Sequence, residues 1–154
     1  MRISALEIFL AVSLTLGAVV SLVLPANASD LVIKAAFARA STSPKARTGV
    51  VYFTLINRSG SDDRLIGVSS DAAERADLHA SVANGDVMTM EPVAAVPMPQ
   101  GATAVLAPGG LHVMLWDLKA PLKQGERIVL HLQFERAGNL DVEVPVMAAG
   151  ATGP

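Results

Sequence analysis

Hydrophobic and polar residues alternate in short runs along most of the chain after residue 30, a pattern typical of β-strands. The clearest runs are residues 128–134 and 140–146, where every second position is apolar and most positions between them are polar or charged. Residues 49–57 are apolar on both faces, as expected of a central strand that is covered by protein on each side. This part of the chain shows no convincing helical period.

The first run of the series, residues 31–39, is predicted to be a strand by the same alternation. It places Leu31, Ile33, Ala35 and Phe37 on one face, with Lys34 opposite. We therefore expect these four apolar side chains to face the core together.

Turn-forming residues separate the runs at short intervals. Asn84-Gly85 is the strongest hairpin signal, because a type I′ turn needs positive φ at both central positions. It places residues 75–83 antiparallel to residues 86–93. Residues 92–101 contain three prolines and are predicted to be a loop. About eight or nine short strands separated by turns indicate an all-β fold, an antiparallel β-sandwich of the Greek-key kind.

The N-terminal segment, residues 1–28, has the features of a secretory signal helix. Arg2 supplies the positive charge, residues 8–24 form an uncharged apolar run, and Pro25 ends it before Ala26-Asn27-Ala28. Small residues at these last positions are what a signal peptidase recognises, so we expect cleavage after Ala28. The alternative is an uncleaved membrane anchor, because the apolar run is close to the lower limit for a spanning helix. Both interpretations place the protein outside the cytoplasm, in the periplasm.

The remaining sequence fits one domain, residues 29–147, followed by a flexible tail, residues 148–154. The net charge of −2 gives no basic stripe for nucleic acid. The absence of cysteine excludes disulfides, thiolate metal sites, cysteine nucleophiles and a cysteine-linked lipid anchor. We see no arrangement that suggests hydrolysis and expect no enzymatic activity.

Imidazole and thioether side chains are concentrated between residues 78 and 115: His79, Met88, Met90, His112 and Met114. Residues two apart on a strand share a face, and cross-strand neighbours have Cβ atoms about 5 Å apart. Such side chains from separate strands can therefore meet, and this donor set suits a soft ion such as Cu(I).

Packing is the alternative interpretation at this point. Methionine often fills irregular cores, and a half-buried histidine is often only hydrogen-bonded. Trp116 continues the face of His112 and Met114, and is either a core residue or a shield for an ion. His131 lies among polar neighbours and is predicted to be solvated.

The spacing of the donors is more specific than their types. Ten residues separate His79 from Met90, twenty-one separate Met90 from His112, and one separates His112 from Met114. This H-x10-M-x21-H-x-M pattern resembles that of the periplasmic copper chaperones of the PCu(A)C family. The surrounding sequence is similar as well, over residues 52–57, 77–79, 85–90, 106–115 and 118–125.

The resemblance implies a cupredoxin-like β-sandwich that binds one Cu(I). It implies four ligands, His79, Met90, His112 and Met114, and delivery of copper towards the copper-A subunit of a haem–copper oxidase. Because this chain has no cysteine, a separate thiol-disulfide protein of the Sco type would have to reduce an oxidised target. We expect a monomer with a single copper site, since the tail lacks the His/Met-rich extension of some family members.

Two other functions remain open from the sequence. One is copper storage or resistance without an oxidase partner. The other is a redox copper protein, against which the missing cysteine argues, because blue-copper centres use a thiolate ligand.

Overall fold

The computed structural model describes residues 30–154, and the predicted signal segment lies outside the described residues. The described part is all-β, as predicted, but it contains ten strands rather than eight or nine. The strands are β1 Leu31–Arg39, β2 Thr48–Asn57, β3 Asp63–Ser70, β4 Ala73–Asn84, β5 Val87–Pro92, β6 Val96–Met98, β7 Thr103–Leu106, β8 Leu111–Leu118, β9 Arg127–Phe134 and β10 Gly138–Met147. Residues 30–154 include no helix with the length and apolar character that a membrane crossing requires.

Hydrogen bonds join the strands in the order β5-β4-β8-β7-β2-β1-β10-β9-β3-β6, and β8 also pairs with β2. The sheet has two halves, which meet where β1 runs parallel to β10. Their apolar faces share one core, with Phe53 and Leu55 of β2 on one side and Leu130 and Leu132 of β9 on the other. Most neighbours are antiparallel, and β7 pairs with β8 in parallel. The predicted sandwich is confirmed.

The additional strand is β6, which lies in the proline-rich segment that was predicted to be a loop. It pairs antiparallel with β3, with Met98 opposite Asp63. Met98 is 0% exposed and belongs to the core. Because β6 ends the strand order, Pro97 lies in an edge strand, where a missing N–H is tolerated.

A β-bulge in β1 makes the predicted alternation wrong in its second half. The register with β2 shifts between Lys34 and Phe37, and Ala35 has a φ of 50°. One extra residue reverses the inward and outward positions that follow it. Ala35 is therefore exposed, and Phe37 lies opposite Tyr52, on the outer face of the sheet rather than with Leu31.

The β4–β5 hairpin forms as predicted, but its turn lies one residue later. Asn84 pairs with Val87, so Gly85 and Asp86 are the central residues. Gly85 has a φ of 63°, which suits a glycine at the first central position of a hairpin turn. The shift places Met90 opposite Ser81, whereas the predicted turn would have placed it opposite His79.

His131 is partly exposed and lies between two carboxylates. Its Nδ1 is 2.7 Å from Oδ1 of Asp141, and its Nε2 is 3.4 Å from Oδ1 of Asp71. The hydrogen bond to Asp141 raises the pKa of His131 above its ordinary value of 6.5, and Asp71 adds to this effect, although partial burial opposes it. The protonated histidine therefore links β9 to β10 and to the β3–β4 turn.

We predict that His131 stabilises the fold mainly in acid. Because its pKa is higher in the folded state, its contribution is fully present below pH 6.5 and is lost as the pH rises through the folded pKa. The substitution His131→Gln should lower the free energy of unfolding at pH 5 by about 0.2–1 kcal/mol, typical of an exposed ion pair, and have little effect at pH 9. Urea denaturation of the wild-type protein and the variant at both pH values measures this change in the free energy of unfolding. Arg64→Gln is the control, since it removes an exposed ion pair, with Glu135, that contains no histidine. An equal cost of His131→Gln at both pH values would contradict the prediction.

Candidate metal centre

The candidate ligands lie on three adjacent strands, β5, β4 and β8. His79 of β4 is directly opposite His112 of β8, and their ring centroids are 6.0 Å apart. Met114 follows His112 by two residues, and Met90 of β5 is opposite Ser81 of β4. Residues that are opposite one another, or two apart on a strand, share a face. All four predicted ligands therefore lie on one face of the sheet, which is the outer face.

Two cavities open on this face. One of about 440 Å³ is lined by Met90, His112 and Met114, together with residues of β1, β2, β4 and the adjacent loops. The other, of about 680 Å³, is lined by His79 and Trp116. The larger cavity thus contains only one predicted ligand, and the two histidines of the opposed pair line different cavities.

His112 is held in one orientation. It is 2% exposed, and its Nδ1 lies 3.0 Å from the carbonyl oxygen of Gly110. A carbonyl only accepts, so Nδ1 carries the proton and donates, which leaves a lone pair on Nε2. That Nε2 atom is buried and has no hydrogen-bond partner among residues 30–154.

The Nδ1 atom of His79 is also buried and without a partner in the described part of the chain. Burying a polar atom without a hydrogen bond costs free energy, so each such atom requires an explanation. Two imidazole nitrogens in this state, on directly opposed residues and beside thioethers, fit coordination of a soft metal ion.

The two thioethers differ in their surroundings. Met114 is half-buried between Val50 of β2 and Asp77 of β4. Met90 is 61% exposed on the edge strand β5. Methionine has three rotatable side-chain bonds. Because the exposed Met90 has fewer packing neighbours than the half-buried Met114, it can adjust its position more freely.

Aromatic residues border the site on both sides. The ring of Tyr52 is 6.4 Å from that of His112 and 5.2 Å from that of Phe37, and the guanidinium carbon of Arg39 is 5.4 Å from the Tyr52 ring. The β1 bulge brings Phe37 and Arg39 to this face. Sequence reasoning missed these contacts because strict alternation placed Phe37 in the core.

Trp116 lies on the same outer face and not in the core. Its ring centroid is 6.0 Å from that of His79, and the guanidinium carbon of Arg75 is 5.1 Å from the Trp116 ring. Arg75 is in turn held by an ion pair of 2.9 Å with Asp77. The structure therefore excludes the core interpretation of Trp116, and its role as a shield for an ion stays a prediction.

Comparison with known proteins identifies the family of this chain. Residues 31–146 match the family described as "Putative lipoprotein LpqE-like". The chain belongs to the LpqE-like family.

Curated relatives of the LpqE-like chain include "Putative lipoprotein Lxx21020" of Leifsonia xyli subsp. xyli, 41% identical over 83 residues, which are 53% of this chain and 50% of that protein. "Uncharacterized protein RP573" of Rickettsia prowazekii is 29% identical over 92 residues, which are 59% of this chain and 51% of that protein. The chain thus spans about half the length of the curated relatives it matches.

Solved structures similar to the LpqE-like chain include PCuAC domains. The apo PCuAC domain of PmoF2 is 26% identical, covers 81% of this chain and 95% of that chain, and has a TM-score of 0.66. The copper-bound PCuAC domain from PmoF2 is 26% identical, covers 77% and 93%, and has a TM-score of 0.65. Cu(I)-DR1885 from Deinococcus radiodurans is 30% identical, covers 78% and 81%, and has a TM-score of 0.58. The resemblance to the PCu(A)C family is confirmed.

We predict that neutral His112 is the Nδ1–H tautomer in solution, because Nδ1 must donate to the Gly110 carbonyl. Long-range ¹H–¹⁵N correlation spectra of the metal-free protein distinguish the two tautomers. Exposed imidazoles generally favour the other tautomer, so a denatured sample is the control. Finding Nε2–H as the main form in the folded protein would contradict the proposed orientation of the ring.

Proposed function

We propose that this LpqE-like protein is a copper chaperone that binds one Cu(I) through His79, Met90, His112 and Met114. The observation that carries the proposal is the directly opposed pair His79 and His112, on the same face as both thioethers. Each has a buried nitrogen without a hydrogen-bond partner in the part of the chain that the structure describes. The copper-bound PmoF2 domain and Cu(I)-DR1885 support it, because their fold is that of this chain.

The chemistry of the four donors suits Cu(I) as a cargo. Thioether sulfur and neutral imidazole nitrogen are softer than carboxylate oxygen, and soft donors select Cu(I). A thioether has no proton to lose, so only the histidines make copper affinity depend on pH. The hydrogen bond from His112 to Gly110 orients one ligand in advance, which lowers the entropic cost of binding.

Release of the cargo requires that ligands can be replaced from outside. The donors lie on the outer face of the sheet, and Met90 is mostly exposed on an edge strand. An acceptor can therefore replace Met90 before it displaces the buried His112. We infer ligand-by-ligand exchange, in which copper passes to the acceptor without becoming a free ion.

The acceptor that we propose is the copper-A subunit of a haem–copper oxidase, as the family resemblance implies. Cysteine thiolates bind Cu(I) more strongly than thioethers and would draw the ion towards such a site. Since this chain contains no cysteine, reduction of an oxidised acceptor would fall to a Sco-type partner. The chaperone itself would act as a monomer and would not be an enzyme.

The family description as a lipoprotein supports export of the protein. We propose the periplasm as the compartment, with residues 1–28 as the export signal. The sequence offers no cysteine for lipid attachment, so cleavage of the signal or its retention as an apolar anchor would decide whether the domain is released.

The first prediction of this proposal concerns binding. The purified protein should bind one Cu(I) per chain, and His112→Ala or Met114→Leu should weaken binding at least about tenfold, which corresponds to about 1.4 kcal/mol. Anaerobic competition with a coloured Cu(I) chelator measures the affinity. His131→Gln is the matched control, because His131 lies on β9, in the other half of the sheet, and should leave the affinity unchanged. If single replacements of all four ligands leave the affinity unchanged, the assignment of the site is wrong.

The second prediction concerns delivery. The Cu(I)-loaded protein, mixed with an apo copper-A domain whose cysteines are reduced, should produce the visible spectrum of the acceptor after oxidation. The metal-free protein is the control for adventitious copper. Retention of all copper by the loaded protein would support the storage alternative instead.

A further inference from the structure

The outer face of the hairpin presents a second exposed thioether that the proposed ligand set does not use. Met88 and Met90 are two residues apart on β5, so their side chains share the face that carries the histidines. Met88 is 58% exposed and Met90 is 61% exposed. In contrast, Met98 is fully buried and serves the core.

Packing does not account for Met88. Its cross-strand neighbour is Ala83, whose small exposed side chain offers little apolar surface to cover it. An exposed methionine on an edge strand gains little from burial, and polar residues would serve a hairpin tip better. What distinguishes a thioether at this position is its affinity for soft metal ions.

The positions along the hairpin form a series that leads to the histidine pair. Met88 is opposite Ala83, Met90 is opposite Ser81, and His79 follows two residues beyond Ser81 on the same face. His112 is directly opposite His79 on the next strand. Met90 lines the cavity that contains His112, whereas Met88 lies farther out, towards the hairpin turn.

We propose that Met88 is a transfer ligand, which takes up Cu(I) at the hairpin and passes it to Met90. This inference rests on the proposed copper-binding function and adds a residue to it. A Cu(I)–sulfur bond to Met88 forms as one bond to the ligand of the copper donor breaks. A bond to Met90 then forms as the bond to Met88 breaks. Copper stays Cu(I) throughout, and no proton moves, because both thioethers are neutral.

The test compares the rate of copper uptake with the affinity at equilibrium. Cu(I) is supplied anaerobically as a complex with a bidentate chelator, and the loss of the complex is followed by stopped-flow absorbance. Met88→Leu keeps the size of the side chain and removes the sulfur. It should slow uptake about tenfold, the change that about 1.4 kcal/mol in the barrier produces, and leave the equilibrium affinity unchanged. Val87→Leu is the matched control, an exposed neighbour on the opposite face of β5.

A second readout follows the methionine methyl groups directly. In protein labelled with ¹³C at the methionine methyls, the Met88 resonance should broaden during the titration and sharpen again at one equivalent of Cu(I). The Met90 resonance should move to a new position and stay there. A Met88 resonance that is unaffected at every point would overturn the proposal.

The kinetic outcomes separate this inference from the proposed function. If the wild-type protein takes up no copper, both are wrong. If the wild-type protein and Met88→Leu take up copper at the same rate, only the role of Met88 is wrong. If Met88→Leu lowers the equilibrium affinity as much as Met90→Leu does, Met88 is a resident ligand and not a transfer ligand.

Discussion

The register between β4 and β8 is the constraint on which the candidate site depends. It places His79 opposite His112, and the core maintains it from the other face, where Leu78 is opposite Val113. Both of these apolar residues are buried. A slip of β8 by one residue would move Val113 to the outer face and His112 into the core, at a cost in hydrophobic burial. The packing of the sandwich therefore also fixes the relative positions of the two histidines that we propose as metal donors.

The proposed donors held by this register differ in their freedom, which suits the proposed role of binding an ion and releasing it. His112 is buried and oriented by Gly110, whereas Met90 stands exposed on the last strand of its half of the sheet. His79 and His112 each bury an imidazole nitrogen that has no hydrogen-bond partner among residues 30–154, and under the proposed function a bound Cu(I) would offset that cost. In the proposed function, the buried histidine would be oriented before copper binds, and the exposed methionine would be the ligand that an acceptor replaces first.

Much of this architecture could be predicted from the sequence, because alternation is a direct consequence of one buried and one exposed face. The bounds of β1 were predicted correctly, and so were the inward residues of β9. The failures have local causes. The bulge at Ala35 adds a residue without any glycine or proline to mark it. The strand β6 is an edge strand of only three residues, and its middle residue is a proline. The hairpin turn shifted by one because Asn84-Gly85 and Gly85-Asp86 are both favourable turn pairs. The ligand spacing identified the family, but the contacts of Tyr52 with Phe37 and Arg39 depend on the bulge and could not be predicted.

An exposed edge strand with apolar residues normally invites pairing with another chain. β5 presents Val87, Met88 and Met90, each more than half exposed, yet it is only six residues long. Asp86 precedes it and Glu91 lies near its end, so a carboxylate stands on each side of the apolar residues. Flanking charges of this kind oppose edge-to-edge association, because two copies would bring like charges together. Short length and flanking charge therefore allow the hairpin to keep two thioethers exposed, and if they bind copper as proposed, a more buried or more polar β5 would lose either access or affinity for the ion.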